Sequence, residues 1–109
     1  MGQAWAALTD PTRREIVSRL AVRDLGAGEI ADAFSISRPG VSRHLRVLRD
    51  AGLVRSEAVG QRRIYSLNVE VIDEIEQWAS EVRTLWEQRL DALDTEIARG
   101  NRARRKTGR

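Results

Sequence analysis

Cysteine is absent from all 109 residues, which excludes disulfides and thiolate metal sites. The one histidine, His44, is too little for an imidazole metal cluster, so no metal is expected. Nor does one histidine inside a helical pattern build a Ser-His-Asp or Cys-His catalytic set. Gly26-Ala27-Gly28 lacks the flanking strand and further glycines of a phosphate-binding loop. No enzyme and no cofactor are expected. No stretch approaches the ~18 consecutive apolar residues of a membrane span. The N-terminus has no basic region followed by an apolar run of roughly 7–15 residues, the mark of a signal peptide. No membrane association and a cytoplasmic location are therefore expected.

What is present points to one folded domain with a modest core: hydrophobic residues make up 41% of the chain. The net charge of +3 is unevenly spread. Residues 1–34 carry four Arg against five acids, and residues 35–67 seven Arg against two acids. Residues 68–98 reverse this with two Arg against nine acids, before six basic residues and no acid from Arg99 to Arg109. A basic block in the middle of the chain calls for an anionic partner. Solvated helix faces of alternating sign are the plainer alternative.

The basic block centres on Ser37-Arg38-Pro39-Gly40-Val41-Ser42-Arg43-His44-Leu45-Arg46-Val47-Leu48-Arg49. A hydroxyl residue caps its start and Gly52 stops it, which predicts a helix. At about 100° per residue, Val41, Leu45 and Leu48 share one side, and Arg38, Ser42, Arg43, Arg46 and Arg49 the other. His44 falls about 60° from the apolar centre, the place of a half-buried histidine with a local hydrogen bond.

Upstream, Trp5 and Leu8 mark a first short helix. Asp10-Pro11 caps a second, with Ile16, Val17 and Leu20 inward, fading near Arg23-Asp24. After a loop marked by Gly26 and Gly28, a short helix from about Gly28 to Phe34 buries Ile30, Ala31 and Phe34. Ser35-Ile36-Ser37 is then a tight turn, with Ile36 expected between the helices. Short helix, turn and longer basic helix form a helix-turn-helix pattern. Leu53–Val59 and Arg63–Leu67 read as strands around Gly60-Gln61-Arg62, a hairpin wing with Val54 and Tyr65–Leu67 inward.

Asn68 is placed to cap a last helix from Val69 to Arg99, ending before Gly100. Its apolar residues Ile72, Ile75, Ala79, Val82, Trp86, Leu90, Leu93 and Ile97 recur near the helical period, flanked by Trp78 and Leu85. A rod of roughly 45 Å exceeds so small a domain, and a two-fold partner is the simplest cover for its apolar face. The fold expected is mainly α with a small β-hairpin wing: a winged helix-turn-helix with a long C-terminal dimerisation helix. Residues 1–99 form the DNA-binding and dimerisation domain, and 100–109 a basic, disordered tail.

A helix-turn-helix sets the N-terminal half of its second helix against base edges. Arginine presents two donors that match guanine O6 and N7. The DNA-binding residues expected are therefore Ser37, Arg38, Pro39, Ser42, Arg43 and Arg46, with Gln61, Arg62 and Arg63 on the wing. Trp5, Leu8, Ile75, Trp78, Val82, Leu85, Trp86, Leu90 and Leu93 are the dimerisation candidates.

Leu8-Thr9-Asp10-Pro11-Thr12-Arg13-Arg14-Glu15-Ile16, the basic helix from Ser37 to Leu48, Ala51-Gly52-Leu53-Val54 and Gly60–Leu67 together resemble the ArsR/SmtB-type winged-helix repressors. The stretch Trp86-Glu87-Gln88-Arg89-Leu90, with Trp78, is similar to a branch with a tryptophan-bearing last helix. The resemblance implies a homodimer built from the first and last helices that represses transcription at a palindromic double-stranded DNA operator. Its DNA contacts map onto Arg38, Pro39, Ser42 and Arg43. Metal-sensing relatives carry Cys-x-Cys where this chain has Gly26 and Gly28, or histidines on the last helix, which here has none. A metal effector is not expected. Two alternatives stay open: a winged-helix protein-interaction module, and a small-molecule-responsive regulator with a pocket lined by Trp5, Trp78 and Trp86. An interaction module would not need arginines and Ser42 on one helix face.

Overall fold

The helix boundaries at Asp10, Gly26, Ser37 and Gly52 fall where local chemistry supplies a partner for orphaned backbone groups. The computed structural model describes residues 2–106, with side chains for 2–100. It divides into two compact units, Met1–Ile75 and Glu76–Arg109.

In the first unit, α1 spans Gly2–Ala7 and α2 spans Pro11–Val22. Asp10 caps α2: its Oδ1 accepts from the N–H groups of Thr12 at 2.8 Å and Arg13 at 3.1 Å. The bond from Arg13 is the main reason that the Asp10 carboxyl is held below its ordinary pKa. Arg13 reaches back to the end of α1 and Arg14 to the turn after it. The Arg13 guanidinium donates to the carbonyls of Ala6 and Ala7, and Arg14 Nη1 to that of Leu8 at 2.7 Å. The carbonyls that end a helix without intrahelical partners are thereby satisfied.

Where a loop was expected, Leu25–Gly26 form a short strand, β1. Helix α3 follows over Ala27–Asp32 and α4 over Arg38–Asp50. The stop of α4 is a Schellman motif. Gly52 N–H bonds the Arg49 carbonyl and Leu53 N–H the Leu48 carbonyl, with Gly52 at φ 78°. Leu48 and Leu53, the pair that this motif brings together, are fully buried. Strands β2 (Val54–Val59) and β3 (Arg62–Leu67) pair antiparallel from Val54↔Leu67 to Val59↔Arg62. Gly60 and Gln61 are the two turn residues, and only Gly60 has positive φ, the pattern of a type II′ hairpin. β1 adds to the free edge of β3 through Leu25↔Tyr65 and Gly26↔Ile64, giving the sheet order β1-β3-β2.

Ile16, Ile30, Val41, Leu48, Leu53 and Val54 are the largest fully buried side chains, drawn from α2, α3, α4 and the start of the wing. Val71, Ile72 and Ile75 of the last helix pack against this core. Two expectations are corrected. Ile36 does not pack between the helices but is exposed, its Cδ1 lying near the open side of Gly40. Asn68 does not cap α5: its Oδ1 accepts no hydrogen bond among the described residues, while its side-chain Nδ2 donates to the Gly52 carbonyl at 2.8 Å and so ties the wing's exit to the end of α4.

The last helix, α5, spans Val69–Lys106 and crosses Gly100, where a stop and a disordered tail were expected. A helix-interior glycine costs only about 1 kcal/mol relative to alanine, too little to end a long helix by itself. The rest of the expected tail, residues 107–109, lies outside the described residues. In the second unit Val82, Leu85, Trp86, Leu90, Leu93 and Ile97 of α5 are exposed. Among the described residues no helix is long and apolar enough to cross a membrane.

Candidate nucleic-acid interface

Helix α4 is presented by its cap. Ser37 Oγ accepts from Gly40 N–H at 3.2 Å, and Pro39 stands in the first turn, where its missing donor leaves nothing unpaired. Glycine at 40 leaves room for that hydroxyl, since a Cβ there would lie 3.2 Å from Ser37 Oγ. Val41, Leu45 and Leu48 are buried, which fixes the rotation of the helix. Arg38, Pro39, Ser42, Arg43, Arg46 and Arg49 are consequently exposed. The exposed arginines, with Ser42 among them, are held in place by the packed apolar face of the same helix.

The charge of these arginines is largely uncompensated. Arg38 faces Asp32 at 3.6 Å, with both side chains 76% exposed, a pair that water and salt screen heavily. Among the described residues no carboxylate lies within 4.0 Å of Arg43, Arg46 or Arg49. Arg38 and Ser42 also border an open groove of about 160 Å³ against Ala27, Gly28 and Ala31 of α3.

On the wing, the structure separates two arginines that the sequence treats alike. Arg63 Nη1 donates to the neutral Ser56 hydroxyl at 3.0 Å and keeps its charge uncompensated. Arg62 Nη2 instead lies 2.9 Å from Glu29 Oε1, a carboxylate at the start of α3. Glu29 Oε1 also accepts from Gly26 N–H at 3.0 Å, and Oε2 takes both Nη atoms of Arg23 at 3.2 Å. The Gly26 bond, followed by Arg23, holds the Glu29 carboxyl below its ordinary pKa. Gln61 is exposed at the hairpin tip.

Sequence reasoning did not single out Glu29, Arg13 or Arg23. The pattern Gly26-x-x-Glu29 was the available clue, because a Glu three residues past a helix cap reaches back to the cap's N–H. His44 is half-buried, as its place on the wheel suggested, with Nδ1 3.3 Å from Arg13 Nη1. Arginine can only donate, so Nδ1 is the acceptor there.

Of the dimerisation candidates, Trp78, Val82, Leu85, Trp86, Leu90 and Leu93 are exposed along α5, with the Arg89 guanidinium 5.2 Å from the Trp86 ring. Trp5 is 38% exposed on α1. Leu8 and Ile75 are half-buried against the core of the first unit. A pocket of about 330 Å³ is lined by Gln3, Ala6, Ala7, Arg13, Val47, Asp50 and Ala51, and none of the three tryptophans lines it. Among the described residues no group of three or more His, Cys, Asp or Glu could hold a metal ion.

Comparison with known proteins agrees with this geometry. Residues 10–56 match the family described as bacterial regulatory protein, arsR family. The HTH-type transcriptional regulator Rv2034 of Mycobacterium tuberculosis is 52% identical over 66 residues, covering 61% of this chain and 62% of that protein. The transcriptional repressor SdpR of Bacillus subtilis is 40% identical over 78 residues, covering 72% of this chain and 87% of that protein. Among solved structures, an ArsR-like transcriptional regulator from Rhodococcus sp. RHA1 superposes with a TM-score of 0.74 at 30% identity, covering 84% of this chain and 87% of that one. The chain belongs to the arsR family of bacterial regulatory proteins, and its winged helix-turn-helix is a DNA-binding, transcription-regulating domain.

Proposed function

We propose that the chain is a cytoplasmic homodimeric repressor that binds a pseudo-palindromic DNA operator, with neither enzymatic activity nor a metal effector. The observation that carries this reading is the exposed arginine face of α4, whose Arg43, Arg46 and Arg49 have no carboxylate within 4.0 Å among the described residues. Such a face suits the major groove, where Arg43 and Arg38 match guanine edges and Ser42 bonds a base or phosphate. Pro39 can touch a thymine methyl, Ser37 borders the same end of the helix, and Arg46 follows one turn on. Gln61 and Arg63 extend the contact to phosphates beside the wing. Repression is supported by the similarity to the transcriptional repressor of Bacillus subtilis. The exposed apolar stripe of α5 supports the dimer.

The test starts by selecting tight-binding duplexes from a random pool and measuring their affinity across a salt series. Log affinity should fall linearly with log salt, and Arg63→Ala should make that slope shallower by about one on every sequence. Binding that ignores salt would contradict the DNA-binding reading. An unchanged slope in the variant would take Arg63 off the phosphate contacts.

A further inference from the structure

The Glu29 carboxylate bonds one backbone N–H and two guanidinium groups brought from separate parts of the chain. Arg23 comes from the end of α2, Arg62 from the wing, and the N–H from Gly26 at the cap of α3. The β1–β3 pairing, Gly26↔Ile64, makes this meeting possible by laying the first residues of β3 alongside the start of α3. Gly26 itself is shaped to it: a Cβ there would come within 2.8 Å of Arg62 Nη2. With bare backbone at this position the Arg62 guanidinium passes to the carboxylate without having to shift.

We propose that Glu29 is a positioning residue that holds Arg62 on the protein and away from DNA phosphate, and so limits sequence-independent DNA affinity. The inference rests on the DNA-binding reading above. An isolated exposed ion pair would be a weak restraint, but networks are the exception. Here the carboxylate is already oriented by Gly26 N–H and Arg23, so Arg62 meets a fixed acceptor without the cost of ordering it. The negative charge of Glu29 also stands beside the wing and opposes an approaching phosphate. The wing then offers Arg63 as its uncompensated cation, while the charge of Arg62 is spent internally.

The variant Glu29→Gln keeps an oxygen for Gly26 N–H and removes the charge that holds the two arginines. On random-sequence duplex it should steepen the log affinity–log salt slope by about 0.9, one extra phosphate neutralised. That corresponds to roughly fivefold tighter binding at about 0.15 M salt by counterion release. Arg62→Ala alone should leave the slope of the otherwise unchanged protein where it is. In the Glu29→Gln background it should remove the gain. This non-additivity separates positioning from a merely structural role, and far-ultraviolet circular dichroism checks that each variant is folded. Two results would overturn the proposal: an unchanged slope in folded Glu29→Gln, or a slope shallower by one in Arg62→Ala alone. If Glu29→Gln unfolds, Arg62→Ala still decides the matter. Failure of the unchanged protein to bind random duplex at all would contradict the DNA-binding reading itself, whereas the two results above contradict only the role given to Glu29 and Arg62.

Discussion

Arg43→Ala is expected to weaken binding to a selected operator by about 1–3 kcal/mol, roughly 5- to 150-fold, and to relax preference at the base pair it reads. The size of the effect follows from what the side chain does in the free protein. Arg43 is exposed, with no carboxylate within 4.0 Å among the described residues, so its removal leaves no internal partner stranded. The fold should be untouched, because the buried face of α4 is Val41, Leu45 and Leu48. The loss should therefore appear on the operator and be much smaller on random duplex. Equal losses on both, measured by fluorescence anisotropy at one salt concentration, would make Arg43 a phosphate contact and move base reading to Arg38, Ser42 or Arg46.

Trp86→Asp should convert the proposed dimer to a folded monomer. Trp86 is 49% exposed in the protomer, so the substitution removes nothing from the protomer's own core. In a dimer packed along α5 it lies amid Val82, Leu85, Leu90 and Leu93, and two-fold symmetry introduces the carboxylate twice. A carboxylate buried there without a partner costs far more than the lost indole area. Sedimentation should give monomer mass with helical content retained. Operator affinity should drop by about 10²–10⁴, because two linked half-site contacts become one. A dimer of unchanged mass would place the interface elsewhere.

The legible parts of this chain are those whose cause lies within a few residues of their effect. Asp10-Pro11, Ser37 and Gly52 each act through bonds to residues two to four positions away, and each marks a helix boundary as read. The turn at Gly60 and the apolar stripe of α4 are local in the same sense. What the sequence hid depends on distant partners. β1 has two residues, too few to show a period, and exists because Tyr65 and Ile64 offer it an edge. Glu29 acquires its role only when the wing folds back to bring Arg62 within reach, 33 positions along the chain. Arg13 reads as an ordinary surface arginine until α1 and His44 are placed around it. Gly100 misled for a different reason: the weak local penalty of a glycine was given more weight than the helix on either side of it.

The exposed arginine face of α4 was therefore legible almost residue by residue, and the arrangement of the wing only in part. The central claim, that two copies of α4 read one operator, is tested most directly by methylation protection of guanine N7 on a selected operator. Two protected major-groove patches about one helical turn apart, ~34 Å, are expected, both lost in Arg43→Ala. Protection confined to a single patch, or none in the major groove at saturating protein, would contradict that claim.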